Sequence, residues 1–338
     1  SKSVYSNVPT YFSIKHSLID KKNAELSKLN IQKNIAFNIF SKFLNVLEAQ
    51  KSYQIQLQNL ELQRKINAQI KVQFDSGEKS YLELKQSEVV LIDNEIAVNE
   101  YENSLIKLRE DLFSYLNIED EDHPFVEPDL EFEQTEADFK LNLNLKMQQL
   151  NIESTKLSLL QQKFNFFPTI SLGYSLNHGL SNTKDNYGYD RLLGFGHVFD
   201  FDDYERSQSF SINASYSIFN LLDIRESYVI SKRSMKSLQL SFEKSEKTHN
   251  NELSNLKKDI KSLRKTYELY ETKLELSEEN LKLAQEQFRL GAISLLDLDN
   301  TKLDFQNSQL SFIKKHYELI RKQEEINLLL SEKILGRW

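Results

Sequence analysis

The stretch QFRLGAISLLDLD, residues 287–299, stops a long charged, helix-forming run at Gly291 and restarts it at once. The same event occurs earlier, at QFDSGEKSYLEL, residues 73–84. Gln73, Phe74, Gly77, Ser80, Leu82 and Leu84 recur 214 positions later as Gln287, Phe288, Gly291, Ser294, Leu296 and Leu298, and Glu83 recurs as Asp297. Two copies of one unit are therefore expected. Gly77 and Gly291 supply the left-handed residue that closes a helix C-terminus. Ser80 and Ser294 then open the next helix as N-caps, in Ser-x-x-Glu and Ser-x-x-Asp patterns that resemble capping boxes. Each unit reads as a helical hairpin with a tight tip.

Outward from the second tip, Leu253, Leu256, Ile260, Leu263, Tyr267, Tyr270, Leu274, Ser277, Leu281, Ala284 and Phe288 keep a 3-4 spacing. Beyond the turn, Leu298, Phe305, Phe312, Leu319 and Ile326 recur every seven residues, with Leu303, Leu310 and Tyr317 beside them. Such seams specify antiparallel helices packed in coiled-coil fashion. The first helix of this pair runs from about residue 221 to 290, on the order of 100 Å at ~1.5 Å per residue. Residues 20–76 and 79–117 form the equivalent pair of the first copy.

The period changes between residues 168 and 219. Ile170, Leu172, Tyr174 and Leu176 alternate with Ser171, Gly173, Ser175 and Asn177. Phe210, Ile212, Ala214, Tyr216 and Ile218 alternate with Ser211, Asn213, Ser215 and Ser217. One apolar face and one small polar face over about ten residues marks a transmembrane β-strand. Residues 179–208, rich in Gly, Asn, Asp and aromatics, read as the loop between them. Val4, Val8, Phe12, Ile14 and Leu18 alternate with Asn7, Ser13, Lys15 and Ser17, which predicts a further strand. Three strands cannot close a barrel, and lipid does not tolerate an open edge, so closure requires other chains.

Composition agrees. Of 338 residues, 28% are charged, while glycine occurs 8 times and proline 4. That balance suits long solvated helices. A net charge of -7 with no clustered Lys/Arg face argues against nucleic acid. No apolar run approaches the ~18 residues of a membrane-spanning helix. Cysteine is absent, so disulfides are excluded. The chain opens in mid-pattern at SKSVYSNV, so the mature N-terminus is expected upstream. His16, His123, His178, His197, His249 and His316 show no metal-ligand spacing, and there is no phosphate-binding Gly loop or nucleophile motif. Neither an enzyme nor a cofactor or metal site is expected.

FNFFPTISLGYSL (164–176), SFSINASYSIFN (209–220), SKFLNVLEAQ (41–50) and QFRLGAISLLDLDNTKLDFQNSQL (287–310) together resemble the TolC family of outer-membrane channel-tunnels. The resemblance covers nearly the whole chain. It implies a mainly α fold with a β part: long antiparallel coiled-coil hairpins forming a periplasmic α-barrel, and strands contributed to a trimeric transmembrane β-barrel. Each chain of the homotrimer would lend four strands to a shared barrel of twelve. The implied role is the exit duct of a multidrug efflux pump or type I secretion system, set in outer-membrane lipid. Its partners would be a periplasmic adaptor (membrane fusion) protein and an inner-membrane transporter.

The expected organisation is then a strand of repeat 1 at 1–19, its hairpin at 20–117 with tip 77–80, and a linker at 118–133. A helix of repeat 2 follows at 134–166, a strand hairpin at 167–219 with loop 179–208, and the second helical hairpin at 220–338 with tip 291–294. Two departures stand out. Only three strands are read, so against the family pattern a helix and the first strand of copy one are expected to be missing from the N-terminal side. Leu18-Ile19-Asp20 matches Ile218-Phe219-Asn220 at an offset of 200 rather than 214, a shortfall of 14. Either the first helix pair is shorter or a segment has been closed up in the numbering.

By position, the resemblance makes Glu83 and Asp297 the acidic residues that line a gate just past each turn, with Asp304 one heptad further. Three chains would place at least six carboxylates around a narrow neck, attracting cations and raising some of their own pKa values. The alternative is structural, since the same carboxylates suit capping of the Ser80 and Ser294 amides. The family's Tyr and Arg latch positions fall on Phe288 and Ile293, and a further acidic one on Asn300, which implies an apolar constriction. Gly77 to Ser80 and Gly291 to Ser294 form the natural docking surface for an adaptor, or serve turn geometry alone. Phe195, Phe199, Phe201 and Tyr204 mark either a membrane-interface girdle or the loop's own small core. The rival reading is a soluble or surface coiled-coil scaffold or adhesin with a small β-domain.

Overall fold

A computed structural model describes residues 2–4, 8–120, 125–127, 142–180, 204–216 and 220–330. In chain order these form β1 (Lys2–Val4), α1 (Val8–Asp75), α2 (Tyr81–Leu116), α3 (Leu143–Phe164), β2 (Thr169–Leu180), β3 (Tyr204–Ser215), α4 (Leu221–Arg289) and α5 (Leu295–Leu329). They divide into two compact units, Ser1–Glu25 with Met147–Lys244 and Leu26–Lys146 with Ser245–Trp338.

The first unit holds an antiparallel sheet in the order β1-β2-β3. β2 and β3 pair along their full length, Thr169 opposite Ser215 and Leu180 opposite Tyr204, while β1 covers only Leu172 to Tyr174. The register sets Ile170, Leu172 and Tyr174 opposite Ala214, Ile212 and Phe210. Because side chains alternate across a strand, these share one face, and Ser171, Gly173, Ser175, Ser209, Ser211 and Asn213 share the other. On the polar face the Ser175 and Ser209 hydroxyls lie 2.6 Å apart. A Cβ on Gly173 would stand 2.7 Å from Ser211 Oγ, so the absence of a side chain permits this close pairing. Beside the sheet, α3 lies along the start of α1, joined by His16 to Ser154 at 3.1 Å and Asn23 to Asn151 at 3.3 Å.

The N-terminal expectation needs correction. The strand predicted over residues 1–19 is confined to Lys2–Val4 in the described residues, and α1 begins at Val8. The physical reason is periodicity seven rather than two. Phe12 and Ile19 are both buried, whereas Tyr11, Ile14 and Leu18 are exposed, and the Phe12 ring meets Phe164 of α3 at 5.6 Å. The apparent shortfall disappears with it. The helices α1 and α4 have 68 and 69 residues, and α2 and α5 have 36 and 35, so the 214-residue offset holds across both hairpins. Leu18-Ile19-Asp20 lies inside α1, whereas Asn220 precedes α4, and their match is a coincidence of composition.

The second unit is a row of helices. α2 borders α1 through Ser87 Oγ donating to Asn67 Oδ1 at 2.9 Å and Arg64 to Glu95 at 3.3 Å. α1 borders α5 through the Phe40, Leu44, Leu47, Tyr317 and Ile320 core and through Lys302, which donates to Gln63. Next, α5 borders α4, where the Tyr267 and Phe312 rings stack at 5.0 Å. The described end of the linker is clamped: Phe125 N–H donates to Gln50 Oε1, and Gln50 Nε2 donates back to Phe125 O, both at 3.1 Å. Asn142 Oδ1 accepts from Asn144 N–H at 2.7 Å and caps the start of α3. The expected helix start at residue 134, the loop residues 181–203 and with them Phe195, Phe199 and Phe201 lie outside the described residues. Among the described residues, no helix is long and apolar enough to cross a membrane.

Candidate functional site: the paired helix tips

The two tips share their closing hydrogen bonds. Gly77 N–H donates to Phe74 O at 2.9 Å and Glu78 N–H to Gln73 O at 2.8 Å. Gly291 N–H donates to Phe288 O at 2.9 Å and Ala292 N–H to Gln287 O at 2.8 Å. This is the Schellman pairing, and it needs a left-handed residue. Gly77 has φ 82° and Gly291 φ 74°.

Both capping boxes are complete. Glu83 N–H donates to Ser80 Oγ at 3.2 Å and Ser80 N–H to Glu83 Oε2 at 2.9 Å. Asp297 N–H donates to Ser294 Oγ at 3.2 Å and Ser294 N–H to Asp297 Oδ2 at 3.1 Å. These bonds favour the ionised carboxylate. The Ser80 amide, then Lys79, hold the Glu83 carboxyl down at about 2. The Ser294 hydroxyl and amide hold that of Asp297 below its ordinary value. Within one chain both carboxyls are thus shifted down, because each carboxylate has its own donors.

Behind the turns, one apolar core joins both tips: Ile66, Ile70, Leu84, Leu281, Ala284, Phe288, Leu295 and Leu298, with Phe74, Ile293 and Phe305 at its margin. Phe288, expected at an apolar constriction, is 5% exposed within one chain and belongs to this core. Ile293 is half-buried against the same core. Asp297, Asn300 and Asp304 are exposed on α5, and Gly77, Ser80, Gly291 and Ser294 are exposed at the turns.

Two features escaped the sequence reading. Lys79 donates to Glu83 Oε1 at 2.9 Å and lies 4.9 Å from the Phe288 ring centre, so it ties the first tip to the second. Its counterpart in the second copy is Ile293, so the duplication gives no signal for it. Lys302 is 1% exposed, its charge held beside Gln63 and Asp299. Burial lowers the Lys302 pKa and raises that of Asp299. The signal for this layer was polar residues at seam spacing, which an apolar periodicity passes over.

Paired hairpins joined at their tips, together with an apolar-faced sheet, define a class of membrane-associated helical-hairpin protein. Residues 140–332 match the family model for outer membrane efflux proteins. The chain belongs to that family, and its place is the outer membrane. Solved structures agree in fold. A membrane protein from Pseudomonas aeruginosa superposes with a TM-score of 0.81 at 14% identity, over 99% of this chain and 74% of that one. The CmeC outer membrane channel of Campylobacter jejuni gives 0.73 at 14%, over 95% and 67%. The open-state MtrE outer membrane channel of Neisseria gonorrhoeae gives 0.73 at 14%, over 98% and 74%. No curated protein matches the chain in sequence. Family membership sets aside the soluble scaffold or adhesin reading.

Proposed function

We propose that three copies form one outer-membrane channel, the exit duct of a tripartite efflux or type I secretion system, closed and opened at the helix tips. The observation that carries this is the sheet. Ile170, Tyr174, Phe210 and Ile212 are exposed on one face, and β1 and β3 each leave an edge unpaired among the described residues. Backbone groups at such edges are costly in hydrocarbon, so the sheet needs neighbours that continue it. Further copies of the chain supply them, with the apolar face toward lipid and the Ser/Asn face toward a water-filled lumen. The role is that of a duct rather than a catalyst, with energy coming from an inner-membrane transporter through a periplasmic adaptor.

In this reading the exposed turns at Gly77–Ser80 and Gly291–Ser294 receive the adaptor, and Glu83, Asp297, Asn300 and Asp304 line the neck. Capping and lining are compatible, since a carboxylate bonded to its own helix start still carries its charge. In planar bilayers the purified channel should prefer cations, and Glu83→Gln with Asp297→Asn should weaken that preference. Unchanged selectivity would remove both residues from the neck. A chain that purifies without detergent as a monomer would contradict the channel itself.

A further inference from the structure

The seam between α1 and α5 is apolar at both ends and polar in the middle. Near the tips Ile66 and Ile70 share a core with Leu295 and Leu298. Farther along, Phe40, Leu44 and Leu47 share one with Tyr317 and Ile320. Between these cores α1 buries Gln56, Asn59 and Gln63, and α5 buries Lys302 and Gln306. Lys302 donates to Gln63. The order of these contacts makes the helices antiparallel, so opposed residues keep the sum of that pair, 365. Asn59 then stands opposite Gln306, and Gln56 opposite Gln309. The layer is a poor source of stability. Among the described residues, Asn59 Nδ2, Gln63 Nε2 and Gln306 Nε2 are buried without a hydrogen-bond partner, and unpaired buried groups destabilise a fold.

The apolar pattern does not by itself fix how far α5 slides along α1. No short loop ties the two, since α1 ends at Asp75 and α5 begins at Leu295, in different hairpins. Leu298, Phe305, Phe312, Leu319 and Ile326 present the same apolar character after a shift of seven. Sliding α5 seven residues away from the tips is opposed by the tip core, because Ile66 and Ile70 would face residues 292 and 288, before α5 begins. Sliding toward the tips keeps α5 beside both isoleucines. It sets Gln306 against Ile66, Lys302 against Ile70 and Asn59 against Ile313. An ammonium and two amides then lie on apolar side chains, and the bond to Gln63 is broken.

We infer that Asn59, Gln63, Lys302 and Gln306 form a register key, positioning residues that stop α5 from sliding tipward along α1 and so hold the two helix tips level. The tip core blocks the opposite direction, so the two devices together leave one register. A polar residue in a helix seam sets register in this way at a cost in stability. The duplication did not supply the key: 214 positions away, Gln63 becomes Ser277 and Lys302 becomes Glu88. It belongs to the seam that joins the two hairpins of one chain. Through that seam Lys79 of the first tip keeps its place 4.9 Å from the Phe288 ring of the second.

The chain has no cysteine, so a slide can be captured as a disulfide within one chain. Ser52→Cys with Ile313→Cys stands in register. Ser52→Cys with Ile320→Cys is displaced by seven residues, ~10 Å along a helix, beyond the ~7 Å between Cα atoms that a disulfide spans. Each pair is oxidised in the detergent-purified full chain and read by mobility on a denaturing gel. With the key intact only the in-register pair should link. With Asn59→Leu, Gln63→Leu, Lys302→Met and Gln306→Leu together, the displaced link should rise on the order of tenfold, as expected when a buried polar group no longer opposes the slide. Thermal unfolding of that variant should stay at or above the parent's. Returning Gln63 and Lys302 to it should bring the displaced link back to the parent level. A folded apolar variant whose displaced pair stays unlinked would overturn the key. So would a variant that does not fold, since the layer would then serve stability rather than register. Neither result bears on the channel reading, which stands on the sheet and the family.

Discussion

Gly77 and Gly291 each carry a left-handed backbone with nothing within 4 Å of where a Cβ would stand. A side chain there costs conformational energy alone, ~1–2 kcal/mol for a non-glycine residue. Gly291→Ala should therefore leave the fold intact while hydrogen exchange at residues 290–295 quickens by about one order of magnitude. Protection equal to the parent chain would show that the turn does not depend on the glycine. The carboxyl of Glu83 falls from 4.5 to about 2 on folding. A depressed carboxylate stabilises the folded form above the unfolded value, so its contribution is complete above pH 4.5 and fades as pH falls toward 2. Asp297 shifts in the same direction. Acid titration followed by exchange at the first tip should show this loss, and Glu83→Gln should remove it. These turns were legible in the sequence because Gly, Ser and Glu or Asp each have one local role at that spacing. Lys79 was not, because its work is done through space, on a phenylalanine of the other repeat.

Among the elements, the long helices were readable from their heptads, and the strands from clean alternation between Ile170 and Leu176. The first helix was misread at its start because Val4, Val8, Phe12, Ile14 and Leu18 satisfy a loose period of two over a short span. Only burial of Phe12 and Ile19 separates the periods. The seam between α1 and α5 holds a polar layer that no apolar pattern announces: Lys302 and Gln63 are almost wholly enclosed, with Asn59 and Gln306 buried nearby. Burial of an ammonium costs several kcal/mol unless it is well paired. The folded Lys302 has a lowered pKa, so the unfolded chain holds its proton to higher pH. Stability should then rise with pH from the folded value up to the unfolded 10.5. Lys302→Met should abolish this rise and match or exceed the parent in thermal unfolding near neutral pH. A variant that unfolds several degrees lower, with the alkaline rise retained, would show that the ammonium is well compensated.

At the scale of the molecule, one chain is incomplete by its own chemistry. Among the described residues, its sheet has open edges beside an apolar face, and α2 and α4 carry exposed apolar stripes. The two deficits call for the same remedy, further copies of the chain arranged around an axis. The solved structures carry the fold and the family carries the membrane, while the number of copies follows from the proposed barrel of twelve strands shared by three chains. The most direct measurement is a set of averaged electron-microscopy projections of detergent-purified particles viewed along their axis. The account predicts three-fold symmetry around an open or constricted central lumen. Particles the size of a single chain, or a solid assembly with no central channel, would contradict it.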